Sequence, residues 1–205
     1  MDARREHWET VYATKSPDEV SWYQRSPDVS LAMIRGAGLT AESGIVDVGG
    51  GASTLVDHLL AEGCRRVAVV DIAARALERS KQRLGAAAPR VDWIVADVTQ
   101  WRPAAPFDIW HDRAVFHFLT EDEDRRGYLN ALNAGLRVGG DVVIGAFALD
   151  GPERCSGLPV RRYSPPLLAD TLGDGFSLVA SCAEDHRTPA GTVQRFVYAR
   201  FRRVR

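Results

Sequence analysis

The stretch Ile45-Val46-Asp47-Val48-Gly49-Gly50-Gly51-Ala52-Ser53 sets the architecture. Ile45 to Val48 is rich in β-branched residues and reads as a short buried strand, and three glycines then let the chain turn sharply. Ser53 is placed to cap a helix that runs through Leu60 and stops at Gly63. A strand, a tight turn and a helix make the first half of a crossover unit that needs a second, parallel strand. Val67 to Val70 supplies it, with Asp71 at its end.

The pattern repeats toward the C-terminus. A helix is predicted over Ala73 to Leu84, a third strand over Val91 to Val95 and a fourth over Phe107 to His111. Thr120-Glu121-Asp122-Glu123 has capping-box spacing for a helix to about Leu136, and Gly139-Gly140 turns the chain into a fifth strand, Val142 to Phe147. Ser164-Pro165 starts a helix that ends at Gly173. The runs Phe176 to Ala180 and Val193 to Phe201 are joined through Pro189 and Gly191 without a helix, so they pair as an antiparallel hairpin. Toward the N-terminus, Ser26-Pro27-Asp28 starts a helix ending near Gly36 or Gly38, and Trp8 and Tyr12, four apart, share one helical face. Alternating strands and helices predict an α/β fold, a parallel sheet with helices on both faces.

Composition narrows the function classes. The 205 residues fit one domain, 1–205, with residues 1–40 as an N-terminal helical lid segment and 41–205 as the core. A formal net charge of −1 with interspersed signs argues against a nucleic-acid or anionic-membrane partner. Cys64, Cys155 and Cys182 form no CxxC pair, so neither a disulfide framework nor a metal site is expected. The start Met1-Asp2-Ala3-Arg4-Arg5-Glu6 has no apolar run behind its charges, and the expected location is cytoplasmic.

In an open parallel sheet, ligands bind beyond the carboxyl ends of the strands where strand order reverses. Gly49 and Gly51 let backbone approach such a ligand where a Cβ would collide. Asp71 lies 20 residues beyond Gly51, the interval at which an acid grips ribose hydroxyls in nucleotide-binding units. A carboxylate suits a vicinal diol because it accepts two hydrogen bonds and donates none. No G-K-[ST] follows the glycines, which excludes a P-loop, and Thr54 stands where a dinucleotide fingerprint needs its last glycine. Asp47 before the turn would repel a pyrophosphate, but could face an ammonium group or backbone N–H groups.

Asp47-Val48-Gly49-Gly50-Gly51, Asp71, Ala96-Asp97-Val98 and Leu136-Arg137-Val138-Gly139-Gly140 resemble, in order, the motifs of class I S-adenosylmethionine-dependent methyltransferases. The resemblance covers roughly Trp8 to the C-terminus. It implies a Rossmann-like doubly wound seven-stranded sheet, mostly parallel, with an antiparallel strand from the C-terminal hairpin beside the fifth. It further implies S-adenosylmethionine as methyl donor and S-adenosylhomocysteine as product. Asp47, Gly49 and Gly51 would line the methionine end, and Asp71 would bind the ribose with Ile72 on the adenine. Asp97 would accept from the adenine amino group, with the Val98 backbone beside it. Ser53 stands where many members have a third glycine.

The acceptor side is less defined by motif. Asp112-Arg113-Ala114 is similar to the D-R-[AG] of thiopurine- and thiol-type methyltransferases, and places Asp112 and Arg113 at the cofactor. Trp22 and Tyr23 follow Pro17 in a loop and are expected as lid residues touching cofactor or acceptor. Asp112, His117 and Tyr23 are the candidate catalytic groups, though methyl transfer needs a base only if the acceptor arrives protonated. The leading expectation is a small-molecule acceptor, possibly a thiol, with the chain a monomer or homodimer. Alternatives are a protein lysine methyltransferase, suggested by His7-Trp8-Glu9 and Tyr12, a nicotinamide-dependent oxidoreductase, and a non-catalytic nucleotide binder.

Overall fold

The structure, a computed structural model, describes residues 3–205. Its strands are β1 (Gly44–Val48), β2 (Arg66–Asp71), β3 (Val91–Val95), β4 (Phe107–Arg113), β5 (Leu136–Phe147), β6 (Arg154–Cys155), β7 (Leu158–Pro159), β8 (Phe176–Arg187) and β9 (Val193–Arg203). Its α-helices are α1 (Ala3–Thr14), α2 (Asp28–Gly36), α3 (Leu55–Ala61), α4 (Ala74–Leu84), α5 (Asp122–Gly135) and α6 (Pro165–Leu172). Seven strands form one sheet in the order β3-β2-β1-β4-β5-β9-β8, while β6 and β7 make a separate two-stranded ribbon. The first five sheet strands pair in parallel, and β9 lies antiparallel between β5 and β8. This is the doubly wound, mostly parallel seven-stranded sheet expected above.

Burial on both faces explains why β1 is apolar at the adjacent positions Ile45 and Val46 rather than strictly alternating. Val46 and Val48 point into a cluster completed by Tyr128 and Leu132 of α5 and Leu168 of α6. Ile45 points the other way, into Leu31 and Ile34 of α2, Leu55 and Leu59 of α3 and Leu77 of α4. Strand order reverses between β1 and β4, so the crevice at their carboxyl ends is the place for a ligand.

Several boundaries differ from expectation for identifiable reasons. β5 starts at Leu136, straight after α5, and Gly139-Gly140 is an irregularity inside the strand rather than a turn before it. Gly140 lies so close to Asp108 that an added Cβ would sit 2.8 Å from its carbonyl oxygen. The capping box at Thr120 does not form; Glu121 is the cap position, without a side-chain bond. The Arg125 guanidinium instead donates to the Leu119 and Thr120 carbonyls at 2.6 and 2.7 Å. Ser53 Oγ accepts from Leu55 N at 3.1 Å, while Thr54 occupies the cap position of α3. β8 runs to Arg187, well past Ala180; as a sheet edge it leaves most positions exposed and so lacks a hydrophobic signature. Within the segment 1–40, α1 covers the crevice, whereas Leu31 and Ile34 anchor α2 in the core.

Candidate active site

The glycine turn brings the ends of β1 and β2 together. Gly49 adopts φ +68°, and a Cβ there would meet Val115 Cγ2 at 1.9 Å. Gly51 adopts φ +34°, and a Cβ there would sit 2.6 Å from Asp71 Oδ2. Gly49 N donates to the Val70 carbonyl at 2.7 Å, so the turn is pinned to the neighbouring strand.

Above this turn lies a cleft of about 740 Å³, open mouth included. Its floor is the strand ends at Gly49, Asp71, Ile72, Asp97 and Val98, and its wall includes Arg113 and Phe118. Arg4, Trp8 and Tyr12 of α1, with Trp22, form the roof. Trp8 meets Trp22 and Phe118 edge to face, with ring centroids 5.7 and 5.0 Å apart, and Tyr12 meets Trp22 at 6.3 Å. A second, more polar cavity adjoins it, sharing Tyr12, Trp22, Gly49 and Arg113, and reaches Asp47, Ser53, Tyr23 and His111.

Asp71 is buried, and its Oδ1 accepts from Ala73 N at 2.8 Å. Burial raises its pKa to about 7, helped by the charges of Asp47 and Glu9 and opposed by the Ala73 and Ile72 N–H groups. Asp97 turns one oxygen to Thr99 N and Oγ1, at 2.8 and 2.7 Å, and the other to Arg4 Nη1 at 3.3 Å. Arg113 donates from Nε to the Tyr198 hydroxyl at 2.7 Å and from Nη1 to the Trp22 carbonyl at 2.9 Å. Its guanidinium stacks 4.5 Å above the Phe196 ring, with Glu184 3.9 Å from Nη2. Asp47 Oδ1 lies 2.7 Å from His111 Nδ1, and His111 Nε2 lies 2.8 Å from Ser30 Oγ.

The structure thus gathers Gly49, Asp71, Ile72, Asp97, Val98, Arg113 and Trp22 around the main cleft, and Asp47, Ser53 and Tyr23 around the second cavity. Gly51 lies just beneath, between Asp71 and the Tyr12 hydroxyl. Asp112 and His117 line neither cavity. Asp112 Oδ1 accepts from Val115 N and Phe116 N, tying down the turn after β4, and burial raises its pKa to about 6. His117 is buried among Phe118, Phe147 and Phe196; its Nδ1 accepts from Phe147 N at 3.3 Å. Burial, with Arg113 nearby, pushes its pKa down to about 3, so it stays neutral.

Ser30 and His111 were not singled out from sequence. Pairing β1 with β4 in register would have set His111 opposite Asp47; Ser30 left no signal. Among the described residues, no cluster of three His, Cys, Asp or Glu could hold a metal ion, and no helix is long and apolar enough to cross a membrane.

Residues 45–140, from β1 into β5, match the family described as Methyltransferase domain. With the strand order above, this segment carries the parallel half of a Rossmann-like seven-stranded sheet. Among individual proteins, the chain is 31% identical over 96 residues to Nodulation protein S of Rhizobium fredii, covering 47% of this chain and 54% of that one. It is 38% identical over 79 residues to Trans-aconitate 2-methyltransferase of Azoarcus sp. (strain BH72), covering 38% of this chain and 28% of the relative. The chain therefore spans about half the length of Nodulation protein S, and less of the second relative. The N-methyltransferase NodS from Bradyrhizobium japonicum WM9, in complex with S-adenosyl-L-homocysteine, shares the fold: TM-score 0.73, 19% identity, 98% of this chain and 99% of that one.

Proposed function

We propose that this chain is an enzyme that moves the methyl group of S-adenosylmethionine to a small-molecule acceptor, leaving S-adenosylhomocysteine. The observation that carries the reading is the pair of carboxylates, Asp71 and Asp97, on adjoining strand ends at the cleft floor, each followed by an apolar residue, Ile72 and Val98. Acids aligned this way accept hydrogen bonds from sugar hydroxyls and from an exocyclic amine, and the apolar residues lie against a base. The glycine turn packs against Val115, Asp47 and Asp71 too closely for a Cβ, which holds Gly49 and these carboxylates in place at the cleft.

The donor supplies an activated methyl group on its sulfonium when bound, and the chain has to orient the acceptor and exclude water. Trp8, Trp22 and Phe118 narrow the mouth and keep it apolar. Neither Asp112 nor His117 reaches the cleft, and both nitrogens of His111 are engaged. An acceptor that enters already in its nucleophilic form, such as a thiolate, suits a cleft built this way. The relationship to Trans-aconitate 2-methyltransferase supports a small molecule over a protein.

Calorimetric titrations with S-adenosylmethionine and with NAD separate the cofactor classes: binding of the first alone is expected, and binding of NAD alone would overturn the reading. Labelled donor incubated with small-molecule thiol and amine pools and with cell protein is expected to label the small molecules. Label found mainly in a protein band would assign the acceptor to proteins instead.

A further inference from the structure

Asp47, His111 and Ser30 form a continuous hydrogen-bonded chain, and each is at most 3% exposed. Asp47 and His111 are register partners on adjacent parallel strands, so their side chains fall on the same face of the sheet. Ser30 reaches them from α2, 81 residues away from His111 in sequence. Buried polar groups of this kind cost free energy unless each is satisfied, and apolar residues of similar size would pack the same space more favourably. All three side chains line the second, polar cavity, next to the glycine turn.

The geometry sets the proton positions. With His111 neutral, Nδ1–H donates to Asp47 Oδ1 and Nε2 accepts from the Ser30 hydroxyl; the other tautomer would set a lone pair against the carboxylate. The carboxylate therefore fixes the tautomer, and His111, braced by Ser30, holds Asp47 turned toward the cavity. The second carboxylate oxygen lies against Gly50, where an added Cβ would be 2.5 Å from Asp47 Oδ2. An acceptor-only group held in a confined space beside the main cleft complements a cation on a short tail.

We propose that His111 and Ser30 are positioning residues that aim Asp47 at the ammonium group of the donor's amino-acid tail, making the chain discriminate nucleosides with that tail from nucleosides without it. The inference rests on the donor assigned under Proposed function. The test is calorimetric titration of the full chain with S-adenosylhomocysteine and with 5′-methylthioadenosine, which keeps the nucleoside and thioether but lacks the tail. His111→Ala is expected to weaken S-adenosylhomocysteine binding roughly tenfold or more, and Ser30→Ala by a few-fold, each with methylthioadenosine affinity close to wild type. His111→Asn restores an N–H toward Asp47 and is expected to recover most of the loss. Methylthioadenosine binding also reports that each variant is folded, and if His111→Ala does not fold, His111→Asn and Ser30→Ala carry the comparison. Equal losses for both ligands, or no loss for either, would overturn the positioning role. A wild-type chain that binds neither ligand would overturn the donor assignment, and this inference with it.

Discussion

The floor and the roof of the cleft face each other across its empty space, but they are held by different forces. The floor is backbone: the turn at Gly49 to Gly51 is fixed by positive φ angles, by the Gly49–Val70 hydrogen bond and by contacts that leave no room for a Cβ. The roof is side chain: α1 buries only Tyr12 and lies on the cleft through edge-to-face aromatic contacts and the Arg4–Asp97 pair. Backbone fixed within one crossover unit cannot yield locally, whereas a helix resting on four rings and on the polar contacts of Arg4 with Asp97 and Asp124 and of Glu9 with Arg75 and Ala74 N can lift while the sheet stays intact. On the function proposed above, the floor defines what binds and the roof admits it.

Substitutions on the floor should therefore cost most. Gly49→Ala forces a Cβ into Val115 at a left-handed backbone position and is expected to lower stability by about 2–4 kcal/mol. In a chain of this size that is a fall in Tm of roughly 5–15 °C, readable by calorimetry; an unchanged Tm would show that the turn yields, and the contrast with the roof would collapse. Asp71→Asn keeps an oxygen for Ala73 N but removes the acceptor pair and its charge. It is expected to weaken S-adenosylhomocysteine binding by about 1–3 kcal/mol. The free protein should not lose stability with it. Because Asp71 has its pKa raised to about 7 in the fold, its contribution is full below the unfolded value near 4 and is lost as pH rises through about 7. Titration by calorimetry, beside thermal unfolding at pH 8, checks both halves.

The same division governs what could be read from sequence. The floor was legible because its determinants are local: a β-branched run, glycines and an acid 20 residues on all fall within one crossover unit. The seven strands followed from alternation and the final hairpin, and their order in the sheet only from the family resemblance. The roles of Asp112 and His117 were not legible. Their position after β4 points toward the ligand end of the sheet, and only packing shows that both turn inward, one to hold a backbone turn and one into a cage of phenylalanines. Ser30 and Glu184 meet the site from elements far along the chain, and no periodicity records such a meeting. The polar end of β8 was missed because an edge strand with little buried surface carries no alternating pattern.

His117 gives a sharper view of the packing behind the wall, where its ring meets Phe118. Its folded pKa, about 3, lies below the ordinary histidine value, so the unfolded chain binds the proton more readily between pH 6.5 and about 3. Stability is therefore expected to fall as pH drops through this window, by at most about 1.4 kcal/mol per pH unit from this group. His117→Gln leaves a side-chain acceptor for Phe147 N and removes the titration. Denaturant unfolding at pH 7 and pH 5 should show a smaller difference for the variant than for the wild type. An identical difference would place the acid sensitivity elsewhere.

The smallest effect expected is on the roof's ion pair. Arg4 is 30% exposed on its side chain, and it reaches Asp97 at 3.3 Å while also pairing with Asp124. Charge pairs this open to solvent contribute about 0–1 kcal/mol, and salt screens them further. Arg4→Ala is accordingly expected to lower stability by less than about 1 kcal/mol, with the difference from wild type shrinking in high salt. Trp8→Ala, which removes the ring contacts with Trp22 and Phe118 and the apolar cover of the cleft, should then loosen the roof more than Arg4→Ala does. Proteolysis or hydrogen exchange within α1 reads the two side by side. If loss of Arg4 opened the helix further than loss of Trp8, the roof would be latched by charge rather than by rings, and its closure would follow ionic strength instead of the apolar surface it covers.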